Sequence, residues 1–287
     1  MDAAVEQERS FLARFPKYAT VLESARESEF VRERLKRGAI HTEPFPYLWV
    51  EEIMSPELYE LVDAAWPHID WFPAEERHNR RDLVPRPPGI TPKDKRASTY
   101  DDLPVPIRAV WDFFVIEINR AVVGPWLADV FKPAIDERLM LIERARRSGR
   151  ATKDYYTPPY VPKMNVGRLM MRADGFRLRP HADALAYLAT ALYYFPGENE
   201  SADLGTTLYH TERGIDEDAI IEEGRTVYFA DAGITATPAF SAPFRRNSLL
   251  AFANCSRSAH GMEITTPGVW RRAYQSHLSI KSDRHHL

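Results

Sequence analysis

From residue 163 onward the chain breaks into short apolar runs separated by turn residues, and that pattern admits few folds. Strands are expected at 163–172, 176–183, 185–195, 204–210, 225–230, 247–254, 259–265 and 271–281. Short strands at this spacing point to a sandwich or jelly roll, where each buries its apolar side against the others. The first half reads differently. Residues 7–37 carry two charged amphipathic stretches with a break near Phe15-Pro16, as helices do. Residues 42–50 read as extended. Ser55-Pro56-Glu57 then opens a helix with a capping hydroxyl, a proline in the first turn and an acid at the positive end. Residues 104–147 lean apolar and periodic, which predicts two or three helices around Trp111, Phe113, Phe114, Trp126 and Phe131. The fold class expected is α+β with a mainly β core.

Composition narrows the functional classes. At 287 residues the chain is long enough to bury a full core. Its net charge of −3 gives no reason to expect nucleic acid or an anionic membrane as a partner. No apolar run reaches the length of a spanning helix. Residues 1–9 show neither the basic start nor the apolar stretch of a signal peptide. A single cysteine, Cys255, cannot form an internal disulfide and sits at an apolar strand end, so it reads as packing in a reducing cytoplasm. A cytoplasmic location is therefore expected. The polar, proline-rich stretch 74–100 is long for a connection and reads as a lid.

His181-Ala182-Asp183 carries the chemistry. A His-x-Asp triplet alone is weak, since on the order of one is expected by chance in such a chain. The sequence supplies its own decoy, His68-Ile69-Asp70, which lies between Pro67 and Pro73 where a strand is disfavoured. That copy reads as a loop histidine with a solvated or capping aspartate. The second copy is placed. Asp174-Gly175 is a turn signal, Phe176-Arg177-Leu178-Arg179 alternates, and Pro180 constrains the backbone just ahead of His181. In an extended segment residues i and i+2 face the same side, so His181 and Asp183 can converge on one ion. His260 follows the apolar run Leu249-Leu250-Ala251-Phe252 and can reach the same interior. Two imidazoles and one carboxylate on one side of a metal, with open positions opposite, form the facial triad used by non-haem Fe(II) oxygenases. An arginine beyond His260 adds a fixed cation suited to a dicarboxylate.

These residues carry a resemblance to a known family, the Fe(II)/2-oxoglutarate-dependent oxygenases. The matching pieces are Gly175 ahead of His181, the His181/Asp183 pair, Gly205-Thr206-Thr207-Leu208-Tyr209, the run from Asn247 to Asn254, and His260-Gly261 leading into a last strand with Arg272. Pro44-Phe45-Pro46-Tyr47-Leu48-Trp49-Val50 resembles the lead-in strand of many bacterial members. The resemblance implies a double-stranded β-helix, iron held by His181, Asp183 and His260, and 2-oxoglutarate and dioxygen as co-substrates. It implies a single catalytic domain over 1–287. Residues 1–40 would be a helical extension, 41–162 the lead-in strand, support helices and lid, and 163–281 the metal-bearing core. In the last strand Arg272, Tyr274, Ser276, Leu278 and Ile280 share the more apolar face, taken as inward, so Arg272 with Ser276 is expected to grip the far carboxylate and Arg271 to be solvated.

The family's tyrosine three residues before the glycine is replaced by Arg172. With strand alternation Arg168 and Arg172 share a face, where they would either favour an anionic small-molecule substrate or be a pair of exposed or salt-bridged arginines. Asp183 favours hydroxylation, because halogenating relatives carry a small residue there. The reaction expected is oxidation of a small molecule with release of succinate and carbon dioxide. Two other classes stay open: a cupin-like metal-dependent isomerase or hydrolase that does not use 2-oxoglutarate, and a jelly-roll binding module without catalysis.

Overall fold

The computed structural model describes residues 3–73, 79–86, 88, 98–151, 153–197, 202–216, 219–221 and 226–281. The N-terminal helices fall where charge and apolar spacing put them: α1 (Ala3–Arg14), α2 (Tyr18–Val21) and α3 (Ser24–Arg37), with the break at Phe15-Pro16. Two short strands follow, β1 (Ile40–His41) and β2 (Tyr47–Glu51). In α4 (Pro56–Ala64) the Ser55 hydroxyl accepts from the Leu58 amide at 3.1 Å, the expected cap. Beyond it lie β3 (Arg80–Leu83), the single turn α5 (Ser98–Asp101) and α6 (Val105–Phe113). A π-helical segment, Phe114–Val123, leads into α7 (Gly124–Val130) and α8 (Lys132–Arg147). Among the described residues no helix is long and apolar enough to cross a membrane.

The remaining strands are β4 (Lys163–Met164), β5 (Arg168–Ala173), β6 (Arg177–Ala182), β7 (Tyr187–Tyr194), β8 (Thr207–Thr211), β9 (Val227–Tyr228), β10 (Ala236–Ser241), β11 (Ser248–Ala253), β12 (His260–Glu263) and β13 (Trp270–Ser279). They form two antiparallel sheets. The larger runs β1-β2-β11-β7-β13-β5-β3, with β4 also paired to β13, and the smaller runs β10-β8-β12-β6-β9. From β5 to β8, and again from β10 to β13, successive strands alternate between the sheets. Side chains of both sheets share one apolar cluster, with Met170, Leu192, Tyr194, Leu250 and Phe252 from the larger and Leu208 and Met262 from the smaller. The sheets therefore face each other.

The other face of the larger sheet is also dry. Trp111 and Phe114 pack at ring distances of 6.0 and 5.2 Å on Tyr274, and Phe114 meets Tyr193 edge-on at 5.1 Å. Burying one such phenylalanine contributes about 1.5–3 kcal/mol. Polar groups at the centre of this layer pair through one side chain. Asn119 on the π-helical segment accepts from Tyr193 at 3.1 Å and Ser276 at 3.0 Å, and donates to Tyr274 at 3.2 Å. A sheet buried on both sides has no solvent face for alternation to reveal. That fact decides the orientation of the last strand below.

Three strands depart from the sequence reading. Within 74–100, read as a lid, residues 80–83 form β3 and pair with β5, while 74–78, 87 and 89–97 lie outside the described residues. β10 has no counterpart among the expected strands, and it contains Pro238, which cannot donate to a ladder. The structure accommodates it at the edge of the smaller sheet, with a register shift between Pro238 and Phe240. The expected strand 163–172 is two, β4 and β5, split around Gly167 at φ 64°. The decoy His68 caps a short 3-10 turn, its Nδ1 facing the Asp70 amide at 3.5 Å, with both side chains exposed.

β3 is fastened through charge. Asp82 accepts from Arg172 at 2.7 Å through one oxygen and from Arg80 at 2.8 Å through the other. Burial alone would raise this carboxyl, but Arg172, Arg168 and Arg80 outweigh it and hold it well below the usual carboxylate range. Burial likewise pushes Arg172 down to about 10, against the opposing pull of Asp82. Removing one partner of a buried pair leaves the other uncompensated, so Asp82→Asn should cost about 3–5 kcal/mol in urea unfolding at pH 7. Because the folded-state pKa is depressed, this contribution is present above the unfolded carboxyl pKa of about 3.9 and is lost as pH falls through the folded value. The gap between wild type and variant should therefore narrow when unfolding is repeated below pH 4.

Candidate metal centre

Backbone pairing creates the site. His260, first residue of β12, is the cross-strand partner of His181 near the end of β6. Their rings lie 4.1 Å apart between centroids. Gly261 makes the approach possible, since a Cβ there would come within 2.5 Å of the Leu178 carbonyl oxygen. Upstream, Gly175 at φ 75° makes the turn that carries the chain from β5 in the larger sheet to β6 beside β12. Asp183 follows β6 by one residue, and one donor atom from each of His181, Asp183 and His260 lies within 4.8 Å of the others. Nε2 of His181 is 3.7 Å from Asp183 Oδ1, and Nε2 of His260 is 3.7 Å from Oδ2.

The hydrogen bonds fix which ring nitrogen faces the centre. His181 Nδ1 meets the Arg179 carbonyl at 3.0 Å and His260 Nδ1 meets the Ser258 carbonyl at 3.0 Å. A carbonyl only accepts, so each Nδ1 carries the proton and each Nε2 presents a lone pair inward. Protonation favours a cation as well. Burial first, and then the neighbouring His260, push His181 down to about 4, so it is neutral at pH 7. Burial would raise Asp183, yet His260, His277, His181 and the Thr190 hydroxyl hold it below the usual range. Two imidazoles that turn Nε2 to the centre and one ionised carboxylate, all buried, are a donor set for a divalent transition metal.

Surrounding residues hold this set in place, and the sequence did not single them out. Thr190 on β7 donates to Asp183 Oδ2 at 2.7 Å, and Asn254 donates to the same hydroxyl at 3.1 Å. Arg138, buried on α8, donates to the main-chain carbonyls of Asp183 at 3.0 Å and Leu185 at 3.2 Å, tying the ligand loop to the helix layer. Phe252 packs 4.5 Å from the His260 ring. His277 of β13 brings a third imidazole, its Nε2 3.7 Å from Asp183 Oδ2 and its ring stacked 4.1 Å from Tyr187. Only alternation along β13 could have exposed His277, and that depended on knowing which face is inward.

That face is the odd one, opposite to the sequence reading. Arg271, Ala273, Gln275 and His277 turn toward the space between the sheets. Arg271 is fully buried, its Nε donating to the Leu204 carbonyl at 2.6 Å and its guanidinium lying 5.0 Å over Tyr194 and 5.2 Å over Phe244. Arg272 points to the helix layer, donating to Asp63 at 3.1 Å with its guanidinium 5.5 Å over Trp66. Ser276 also points there and donates to Asn119. The structure thus brings His181, Asp183 and His260 together and does not bring Arg272 or Ser276 to them. The physical reason is the covered outer face: the apolar residues of β13 pack against helices.

Arg168 and Arg172 do share the inward face with Met170, and their situations differ. Arg172 is nearly sealed off, bonded to Asp82 and to the Arg81 and Met171 carbonyls and stacked 5.0 Å from Phe176. Arg168 stays partly exposed and donates to Gln275 at 3.1 Å. Cys255 is partly buried, and burial raises its thiol, so it offers no reactive thiolate.

No family model matches the chain, and no curated protein does. Among solved structures it is similar to HygX from Streptomyces hygroscopicus with nickel, 2-oxoglutarate and hygromycin B bound, at 9% identity over 88% of this chain and 89% of that one, TM-score 0.41. A prolyl-4-hydroxylase from Pseudomonas putida aligns at 11% identity over 87% and 96%, TM-score 0.36. The non-heme alpha ketoglutarate dependent carbocyclase SnoK from nogalamycin biosynthesis aligns at 11% identity over 88% and 83%, TM-score 0.38. Scores of this size leave the functional reading to the geometry of the site.

Proposed function

We propose that this chain is a non-haem Fe(II)/2-oxoglutarate-dependent oxygenase, acting as a hydroxylase on a small molecule. The carrying observation is the convergence of two inward Nε2 atoms and one ionised carboxylate in one buried cluster. The alternation of strands between two facing sheets supports reading the core, 163–281, as a double-stranded β-helix in a single catalytic domain. Iron, when bound, supplies chelation of the keto acid and activation of dioxygen, with succinate and carbon dioxide as the other products.

The chain's own residues do the rest. His181, Asp183 and His260 would hold the metal, a three-residue ligand set that would leave coordination positions for co-substrates. Thr190 fixes the Asp183 carboxylate, so the ligand set is ordered before anything binds. Arg271, in place of Arg272, takes the role of carboxylate anchor, because it lies on the face of β13 that also carries His277. A guanidinium fork among Tyr194 and Phe244 grips a dicarboxylate strongly, since water is excluded around it. The same aromatic and aliphatic walls shield the reacting centre from solvent.

His181→Ala and Asp183→Ala should each lower Fe(II)-dependent succinate release at least about 100-fold and remove stoichiometric Co(II) binding, followed by absorption spectroscopy. Full turnover by either variant would reject the triad. Arg271→Leu should raise the KM for 2-oxoglutarate roughly 30-fold or more, the loss of a buried charge partner, while Arg272→Leu should leave it near wild type and lower the melting temperature. Metal-dependent turnover of any substrate without succinate would instead favour a cupin-like isomerase or hydrolase.

A further inference from the structure

Resting on that reading, we infer that Arg168, seated by Gln275, is the receptor for a carboxylate or phosphate group on the small molecule that this site oxidises. Position argues first. Gln275 is the cross-strand partner of Arg168, and it faces the same side of β13 as His277 two residues on. His277 Nε2 lies 3.7 Å from Asp183 Oδ2, so Arg168 is one strand over and one two-residue step from the direct neighbour of a metal ligand. An anion on its guanidinium would sit roughly 10 Å from the ligand cluster, within the span of a metabolite.

Charge argues second. Three guanidiniums, of Arg80, Arg168 and Arg172, share the carboxylate of Asp82. Arg172 and Arg80 take the two oxygens at 2.7 and 2.8 Å, and Arg168 reaches it only at 3.5 Å. Exposure separates the roles: the Arg172 side chain is 4% exposed and Arg168 is 36% exposed. Arg172 therefore fastens β3, and Arg168 keeps a face for a ligand. Gln275 accepts from its Nε, which fixes the plane of the fork for a small oxyanion.

The probes are benzoate and inorganic phosphate, with benzamide as the neutral control, titrated into full-length protein loaded with Ni(II) and 2-oxoglutarate. Binding would be followed by ligand-observed NMR. At least one anion should bind, and benzamide should not. Arg168→Gln should weaken that anion about tenfold or more, Arg168→Lys by less, and Arg177→Gln, an exposed arginine at the far end of β6, should leave it unchanged. Absence of binding by both anions, equal binding of benzamide, or equal loss in Arg177→Gln would overturn the assignment. So would a rise in the 2-oxoglutarate dissociation constant in Arg168→Gln, which would make this arginine part of the co-substrate site. Titration of 2-oxoglutarate into the Ni(II) protein separates the two readings: if it does not bind, the oxygenase reading fails, and if it binds while the anions do not, only this inference fails.

Discussion

The antiparallel pairing of β6 with β12 is the constraint on which the site depends. It sets His260 opposite His181 and leaves Asp183 just past the strand end, so three donors remote in sequence meet at one point. The pairing tolerates no side chain at Gly261, because the opposing Leu178 carbonyl occupies the space. Each histidine is then oriented by a carbonyl two residues before it in its own chain, Arg179 or Ser258. The ligand geometry is thus largely a backbone property. Side chains refine it, with Thr190 on the carboxylate and Arg138 holding the loop from behind.

The larger sheet performs two tasks with its two faces. Tyr193, Tyr274, Ser276 and Arg272 lock it to the helices, through aromatic packing, the Asn119 bonds and the ion pair with Asp63. The alternate residues on β13, from Arg271 to His277, line the space between the sheets. On the helix side Asn119 ties Tyr193, Tyr274 and Ser276 into one hydrogen-bonded group, which stiffens that side. Rigidity there is what a metal centre needs, because a ligand loop fastened to a moving layer would lose its geometry.

Arginine plays three physical roles on that inner face. Arg271 is sealed among aromatic rings, Arg172 is neutralised by Asp82, and Arg168 meets solvent. Residue type alone does not distinguish them. Burial and the distance to a carboxylate do: Arg172 and Arg80 meet Asp82 at 2.7 and 2.8 Å, and Arg168 at 3.5 Å.

Much of the fold was legible because periodicity is local. The helix break at Phe15-Pro16, the Ser55 cap, the turn at Gly175 and most core strands follow from residues close in sequence. The triad was legible for the same reason, since i and i+2 on a strand share a face and His260 opens another strand at the right depth. What sequence could not decide was which side of β13 is inside. Both faces of that strand are buried, one by helices and one by the opposing sheet, so the more apolar face marks the helix layer and Arg271 goes inward instead of Arg272. β10 and β3 escaped for a related reason: proline in one and charge in the other suit edge positions, and an edge exists only once the sheet is assembled.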